Sequence, residues 1–461
     1  MNDAILVIGG GIAGINCAIN AAKYGTKVYL IDDTPSIGGM MARLDKTFPT
    51  NDCSICIEAP QMYEVDNHEN IEILTNTEVR KVKKGNGAFK VKLVKKALYV
   101  DEEKCTGCGA CVEACPVSIP DEMDGKIGGM RKLVSMAFPQ AVPNVVSVDP
   151  RCRFGEMREA GACIGDCAVD CSQCRECPIA LCVKACEKEG KKAITLWQAN
   201  RNVNIEVKSI VVATGIKDAP PAGDLLGYNV YENVITNTQF ERLMNAGGPT
   251  AGHIIRPSDQ KQAKKIGWIQ CAGRGLGEGK GTPYCSKICC MISAKQTIIT
   301  KEHDDSVEAT VFYNDLKAYG KGFWDFYRKA LENGVRYVRG RPYEVVEDPE
   351  TKNLTLRYED LESGKVHRQE VELLVLATGV IPNERNKRLA KVLKLELDAL
   401  GYFKERDPLM APLETRVDGI YLCGGATGPI DIAESVAQAT AASMKAVCEC
   451  GSRNAQVGKN I

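Results

Sequence analysis

The chain has 461 residues, with 59 Lys plus Arg against 59 Asp plus Glu and 44% hydrophobic content. That length suits two or three domains with a sizeable core, and zero net charge excludes a basic footprint for nucleic acid or for an anionic membrane surface. No run of about 18 apolar residues is present, so no membrane-inserted helix is expected. The N-terminus shows neither the basic region nor the cleavage site of a signal peptide. The 22 cysteines could mark a disulfide-rich secreted protein, but the size and their clustering point to metal ligation in a reducing cytoplasm.

In chain order, residues 4–8 form a short apolar run of buried-strand type. Gly9-Gly10-Gly11-Ile12-Ala13-Gly14 follows, then a helix-compatible segment from Ile15 to Tyr24 and a second strand from Lys27 to Ile31 that ends in Asp32-Asp33. Glycines at 9, 11 and 14 give G-x-G-x-x-G. Gly9 permits the tight turn, Gly11 lets backbone amides approach a pyrophosphate, and Gly14 allows close helix–strand packing. The helix N-terminus favours the phosphates, and Asp32 stands where a carboxylate accepts ribose hydroxyls. Gly38-Gly39-Met40-Met41 resembles the second contact loop of the flavin-binding glutathione reductase class, which makes the expected dinucleotide FAD. Ala213-Thr214-Gly215 and Ala377-Thr378-Gly379 close strand-like runs, as in flavoproteins with two dinucleotide domains. Near the C-terminus, strand 420–423 leads into Gly424-Gly425-Ala426 and a helix from about Ile432 to Ala446. The class carries Asp where this chain has Ala426, so the ribityl contact is expected from backbone amides or from Asp431.

A cysteine module, roughly 96–200, interrupts this frame after a sheet-like stretch at 71–96. It holds 12 of the 22 cysteines. Cys105, Cys108, Cys111 and Cys115 followed by Pro116 read C-x2-C-x2-C-x3-C-P, the bacterial ferredoxin run, which binds three thiolates to one [4Fe–4S] cube and sends the fourth to another. Zinc is the bland alternative, but it needs only four ligands and has no use for the Cys-Pro signature. Crossed ligation expects Cys186 to complete the first cube, and Cys177 and Cys182 to join Cys115 at the second. Cys163, Cys167, Cys171 and Cys174 are compact enough for a third, or are surplus thiols.

A second departure lies at 264–295. Residues 265–270 read as the first strand of a second dinucleotide fold, but Gly273, Gly275 and Gly277 have the wrong spacing for a nicotinamide dinucleotide and no helix follows at once. Cys271, Cys285, Cys289 and Cys290 stand there instead. They are cluster ligands or four buried structural thiols. Cys53-x2-Cys56 is expected to be structural first and a flavin-proximal dithiol second. The four histidines show no ligand spacing, and Cys17 and Cys423 read as core cysteines.

Taken together, the chain resembles the A-subunit family of heterodisulfide reductase. The marks are the Gly9–Gly14 and Gly38-Gly39 pair, Leu44 through Cys53, Phe138-Pro139-Gln140-Ala141-Val142-Pro143 in the insertion, the Cys285/Cys289/Cys290 motif, and Asp431 through Ala439. The resemblance implies an α/β fold of thioredoxin/glutathione reductase type with an inserted ferredoxin-like domain, one FAD and three or four [4Fe–4S] clusters. It implies that Cys271, Cys285, Cys289 and Cys290 hold one cluster beside the flavin, with Lys295 near the flavin ring as the catalytic candidate. It also implies a soluble, cytoplasmic complex with iron–sulfur and electron-donor or -acceptor subunits around a homodimeric core, and electron transfer with bifurcation left open. Longer members add cluster domains at both ends, which this chain is expected to lack. Its long second cysteine run also departs from the family. The expected units are 1–95, 201–262 and 399–461 for FAD, 96–200 for the insertion and 263–398 for the degenerate second fold. The alternatives are an NAD(P)H-dependent disulfide reductase using Cys53 and Cys56, and a non-catalytic protein for electron relay or assembly.

Overall fold

The computed structural model describes residues 3–85, 87–122, 124–149, 181–196, 198–275 and 281–451. Two five-stranded parallel sheets dominate it. In the first, the order is Ile420–Leu422, Ser209–Val212, Ala4–Ile8, Lys27–Ile31, Ile71–Leu74. Every residue of Ala4–Ile8 and Ser209–Val212 is buried, which explains why these strands read as continuous apolar runs: helices cover a parallel sheet on its faces. Helices Ile12–Lys23 and Ile432–Glu449 lie against each other. Ala18, Ala21 and Ala22 on one and Ala439, Ala442 and Ala446 on the other are buried in one core, and side chains this small let two helix backbones approach closely.

The second sheet runs Val234–Thr236, Leu373–Leu376, Lys265–Ile269, Glu308–Tyr313 and Arg336–Arg339; its last four strands repeat the arrangement of the first sheet, but its outer strand comes first in the chain where Ile420–Leu422 comes last. Each sheet also carries a three-stranded antiparallel sheet inserted before its penultimate strand in sequence or its last: Thr77–Gly85, Ala88–Lys95 and Arg201–Val207 in the first half, Pro342–Glu347, Leu354–Asp360 and Lys365–Val371 in the second. The core of the second half centres on Trp268, whose Nε1 donates to Gln296 Oε1 at 3.1 Å. That bond matters because an unmet buried N–H costs about 1–3 kcal/mol, comparable to what burying a large apolar side chain contributes.

The two halves are joined by an antiparallel ribbon of Ile216–Asp218 with Val380–Pro382. This corrects two expected boundaries. Strand Val234–Thr236 belongs to the second sheet rather than to an FAD unit ending at 262. Helix Asn386–Leu393 returns to the first half, where Ala390 and Leu393 are buried with Phe89 and Leu422, rather than to a unit ending at 398. The reason is the ribbon, since outgoing and returning chain must pair at the crossing.

The insertion leaves after Ala88–Lys95 and re-enters at Arg201–Val207, which pair directly; Asn200 Oδ1 accepts from Ala97 N–H at 2.9 Å and closes the neck. Its described part has its own core, in which Cys111, Cys115, Cys182 and Cys186 are buried among Val117, Leu133 and Val146. Residues 138–143 dock it onto the first half. Ile37 N–H donates to Val142 C=O at 3.0 Å, Val142 N–H donates to Ser36 Oγ at 2.9 Å, and Phe138 packs beside Gly38. A partly buried pair, Arg242 with Asp124 at 2.9 Å, ties it to the second half.

Candidate functional site

At the C-terminal ends of the first sheet, four glycine-bearing turns meet. Gly9 sits at φ 112°, and a Cβ there would lie 2.2 Å from Ala213 C=O. A Cβ on Gly14 would lie 1.8 Å from Gly9 C=O, so the turn and the helix touch backbone to backbone. Gly11 behaves differently: a Cβ would meet nothing nearer than Gly39 Cα at 3.7 Å. The turn is therefore open at Gly11, above the start of helix Ile12–Lys23, whose N-cap residue Gly11 offers no side-chain cap. Gly38 N–H donates to Gly10 C=O at 2.7 Å, which brings the Gly38-Gly39-Met40 loop beside the first turn. Gly425 abuts Ile216 N, next to Gly215. This cradle of uncapped helix amides and absent side chains fits a dinucleotide pyrophosphate.

The acids near it are already engaged. Asp32 Oδ2 accepts from Gly10 N–H at 2.7 Å, and Oδ1 accepts from Thr34 N–H at 2.8 Å. It holds the glycine turn, with lone pairs left for a ribose. Asp33 pairs with Arg385. Asp431 caps helix Ile432–Glu449, accepting from Glu434 N–H at 2.8 Å while its own N–H donates to Glu434 Oε2 at 3.1 Å. Thr214 Oγ1 donates to Asn386 Oδ1 at 2.8 Å. Ala213 and Ala426 are buried and Ile432 opens the last helix.

Two pockets gather cysteines. In the insertion, Cys105, Cys108, Cys111 and Cys186 line one pocket with Gly109, Val146 and Ile194. Burial, then the neighbouring Cys105, Cys186 and Cys108, push the Cys111 thiol up to about 11. Cys115 and Cys182 are buried nearby. Cys163, Cys167, Cys171, Cys174 and Cys177 lie outside the described residues.

In the second half, Cys271, Cys285, Cys289 and Cys290 line a pocket with Tyr284, Lys317 and Thr378. Helix Cys289–His303 begins at two of them. Burial, then Cys290, Cys271 and Cys285, hold the Cys289 thiol far above its usual range. Among the described residues, no three His, Cys, Asp or Glu side chains converge tightly enough for a single ion. Both thiol sets must lose protons to ligate, so cluster binding is coupled to proton release.

The second pocket is tied to the first half by its own loop. Lys287, next to Ser286 and two residues from Cys285, pairs with Glu434 of the Asp431 capping box at 2.8 Å. Ser286 Oγ accepts from Val380 N–H at 2.9 Å on the joining ribbon. Lys295 is buried, with Nζ 2.7 Å from Glu241 and donating to Lys46 C=O at 2.6 Å, in the loop that follows Gly39. Its ammonium thus clamps the two halves together. Cys53 and Cys56 are joined in a disulfide, with Cys53 as N-cap of helix Ser54–Asn67. Sequence reasoning gave Lys287, Glu434 and Thr378 no role of their own, although Thr378 lies in the marked Ala377–Gly379 turn and Glu434 in the marked Asp431–Ala439 stretch; their contacts at the second pocket join elements distant in the chain.

The chain matches the FAD dependent oxidoreductase family over residues 4–51, the 4Fe-4S binding domain over 98–121 and the Pyridine nucleotide-disulphide oxidoreductase family over 303–446. It is 44% identical over 446 residues to the iron-sulfur A subunit of the CoB--CoM heterodisulfide reductase of Methanocaldococcus jannaschii, covering 96% of this chain and 64% of that one. It is 42% identical over 448 residues to the A subunit of the H(2):CoB-CoM heterodisulfide,ferredoxin reductase of Methanothermobacter thermautotrophicus, covering 97% and 64%. To a protein of Archaeoglobus profundus described as like the heterodisulfide reductase A subunit it is 37% identical over 484 residues, covering 97% and 66%. The chain spans 64% of the length of the first two relatives. Among solved structures, a T. acidophilum thioredoxin reductase shares 14% identity at a TM-score of 0.49, covering 97% and 99%.

The doubled parallel sheets, the glycine cradle and the ferredoxin run define a fold with two dinucleotide-type domains, of the FAD dependent oxidoreductase kind, and an inserted 4Fe-4S binding module. Within that class, the chain is similar along 96–97% of its length to A subunits of heterodisulfide reductase. No helix among the described residues is long and apolar enough to cross a membrane.

Proposed function

We propose that this chain is the electron-transfer core of a heterodisulfide-reductase-like complex, passing electrons between FAD and three or four [4Fe–4S] clusters. Bound FAD would exchange electron pairs while the clusters carry single electrons; the protein sets distance, potential and solvent access. Gly9, Gly11 and Gly14 would seat the pyrophosphate, with Asp32 steadying the turn. Cys105, Cys108, Cys111 and Cys186 would hold one cube, Cys115 with Cys177 and Cys182 would share in the next, and Cys163, Cys167, Cys171 and Cys174 would hold a third. The observation that carries the reading is the second pocket: four cysteines occupy the strand-to-helix turn where a second dinucleotide would sit, linked through Lys287 to the FAD-side helix. This disfavours an NAD(P)H-dependent disulfide reductase. Lys295, reaching the loop after Gly39, would position that loop beneath the flavin.

Two cysteine sites belong to elements that touch the 36–46 segment, through Phe138 and Val142 of the insertion and through Lys295 of the second half. One is in the insertion docked through residues 138–143, the other in the second half. They offer the two exits that division of an electron pair requires. One relative is named as reducing a heterodisulfide together with ferredoxin, and we propose the same pair of acceptor classes here, in a cytoplasmic, homodimer-based assembly.

Anaerobically purified protein should hold one FAD and about 12 to 16 irons, at four per cube. Replacing Cys289 and Cys290 with Ser should remove about four irons and leave FAD in place. Unchanged iron content, or reduction by NADH faster than ~1 per second, would overturn the assignment of the second pocket.

A further inference from the structure

One polar group in the second pocket has no hydrogen-bond partner among the described residues. Thr378 is 3% exposed, lines the pocket with the four cysteines, and its Oγ1 meets neither donor nor acceptor. A buried hydroxyl without a partner costs about 1–3 kcal/mol, so a partner in the assembled protein is expected. The neighbouring groups are otherwise occupied. Ser286 Oγ is held by Val380, Lys287 faces Glu434 and Lys317 faces Asp315. Thr378 follows strand Leu373–Leu376 beside strand Lys265–Ile269, and Ala272 N–H donates to Ala377 C=O at 3.1 Å, which places Thr378 next to the Cys271 turn. At Gly379, the following residue, an added Cβ would lie 3.9 Å from Cys289 Sγ.

We propose that the Thr378 hydroxyl donates a hydrogen bond to a sulfur of the cube held by Cys271, Cys285, Cys289 and Cys290, and so raises that cluster's reduction potential. The inference rests on the reading of this pocket as a cluster site. Hydrogen bonds to sulfur are among the protein's levers on cluster potential. Such a bond withdraws charge from the cluster and stabilises its more negative, reduced form. Thr378 is a positioning residue in this scheme, acting on the electron distribution between flavin and cluster.

The test is an anaerobic redox titration of the FAD-loaded, iron-reconstituted full chain, followed by electron paramagnetic resonance. The cluster's signal is identified as the one missing from the Cys289→Ser/Cys290→Ser protein. Thr378→Val, nearly isosteric but without the hydroxyl, should keep its FAD and iron and lower the midpoint. A tenfold less favourable reduction, about 59 mV for one electron, is the expected size. Thr378→Ser should titrate like the parent, and Thr378→Ala gives a second removal of the hydroxyl if Val is not accommodated. An unchanged midpoint in both Val and Ala proteins, or a Ser protein that follows them, would overturn the inference while the cluster assignment stands. If no signal depends on Cys289 and Cys290, the cluster assignment and the inference fall together.

Discussion

The two halves of this molecule share one arrangement of four parallel strands and use the same point of it differently. In the first, only Gly9, Gly10 and Gly11 separate the central strand from its helix, and the turn closes backbone against backbone. In the second, residues 270–288 intervene between Lys265–Ile269 and Cys289–His303. That longer loop carries Cys271 and Cys285 to the helix that begins with Cys289 and Cys290. A helix N-terminus favours negative charge of either kind, so the phosphates proposed at one turn and the thiolate-bound iron proposed at the other would follow from one architecture with two loop lengths. The lesson is that the position persists while the loop decides the ligand.

The comparison can be broken first at Gly11. Gly11→Val adds bulk where the turn is open, so the chain should fold and lose its flavin entirely, read as flavin released on acid precipitation. Gly14→Val, blocked 1.8 Å from Gly9 C=O, should instead damage the fold. If Gly11→Val retains stoichiometric FAD, the first turn is not the pyrophosphate site.

The next largest effect concerns how each half treats a buried charge. Lys295 is paired with Glu241 at 2.7 Å, both nearly inaccessible. Lys295→Ala leaves Glu241 buried without its cation and should cost about 3–5 kcal/mol in chemical denaturation. A loss below about 1 kcal/mol would mean the pair is not buried as described.

Asp431→Ala should cost about 1 kcal/mol, the loss of a helix cap, with FAD content unchanged. Complete loss of FAD would show that Asp431 supplies the ribityl contact rather than only a cap.

The smallest effect is one of pH. Glu58, on the helix after Cys53, is buried, its carboxyl oxygens have no hydrogen-bond partner among the described residues, and burial raises its pKa well above the ordinary range. The unfolded chain ionises this group first, so it leaves stability untouched below the unfolded pKa and lowers it as pH rises towards the folded one. Glu58→Gln should therefore raise Tm at neutral pH and match the parent near pH ~4, about the unfolded carboxyl value. A parent-like Tm at every pH would show that Glu58 is solvated or paired.

By itself the sequence determined what contiguous residues encode. Gly9 to Gly14 with flanking apolar runs specified a dinucleotide turn, and Cys105 to Pro116 specified a ferredoxin run, because spacing along one turn fixes which groups can share a ligand. The apolar strands 4–8 and 265–269 were legible for the same reason, while the unit boundaries near 262 and 398 were not, since the ribbon of Ile216–Asp218 with Val380–Pro382 pairs segments far apart in the chain. Only the tertiary structure decided that Cys186 lines one pocket with Cys105, that Thr378 lines another with Cys289, and that Lys287 reaches Glu434. Lys295 could be singled out in the sequence by resemblance, but its role as a clamp depends on Glu241 and Lys46. Side-chain contacts between distant elements leave no periodic or spacing signal; they exist only once the sheets have formed and brought their edges together.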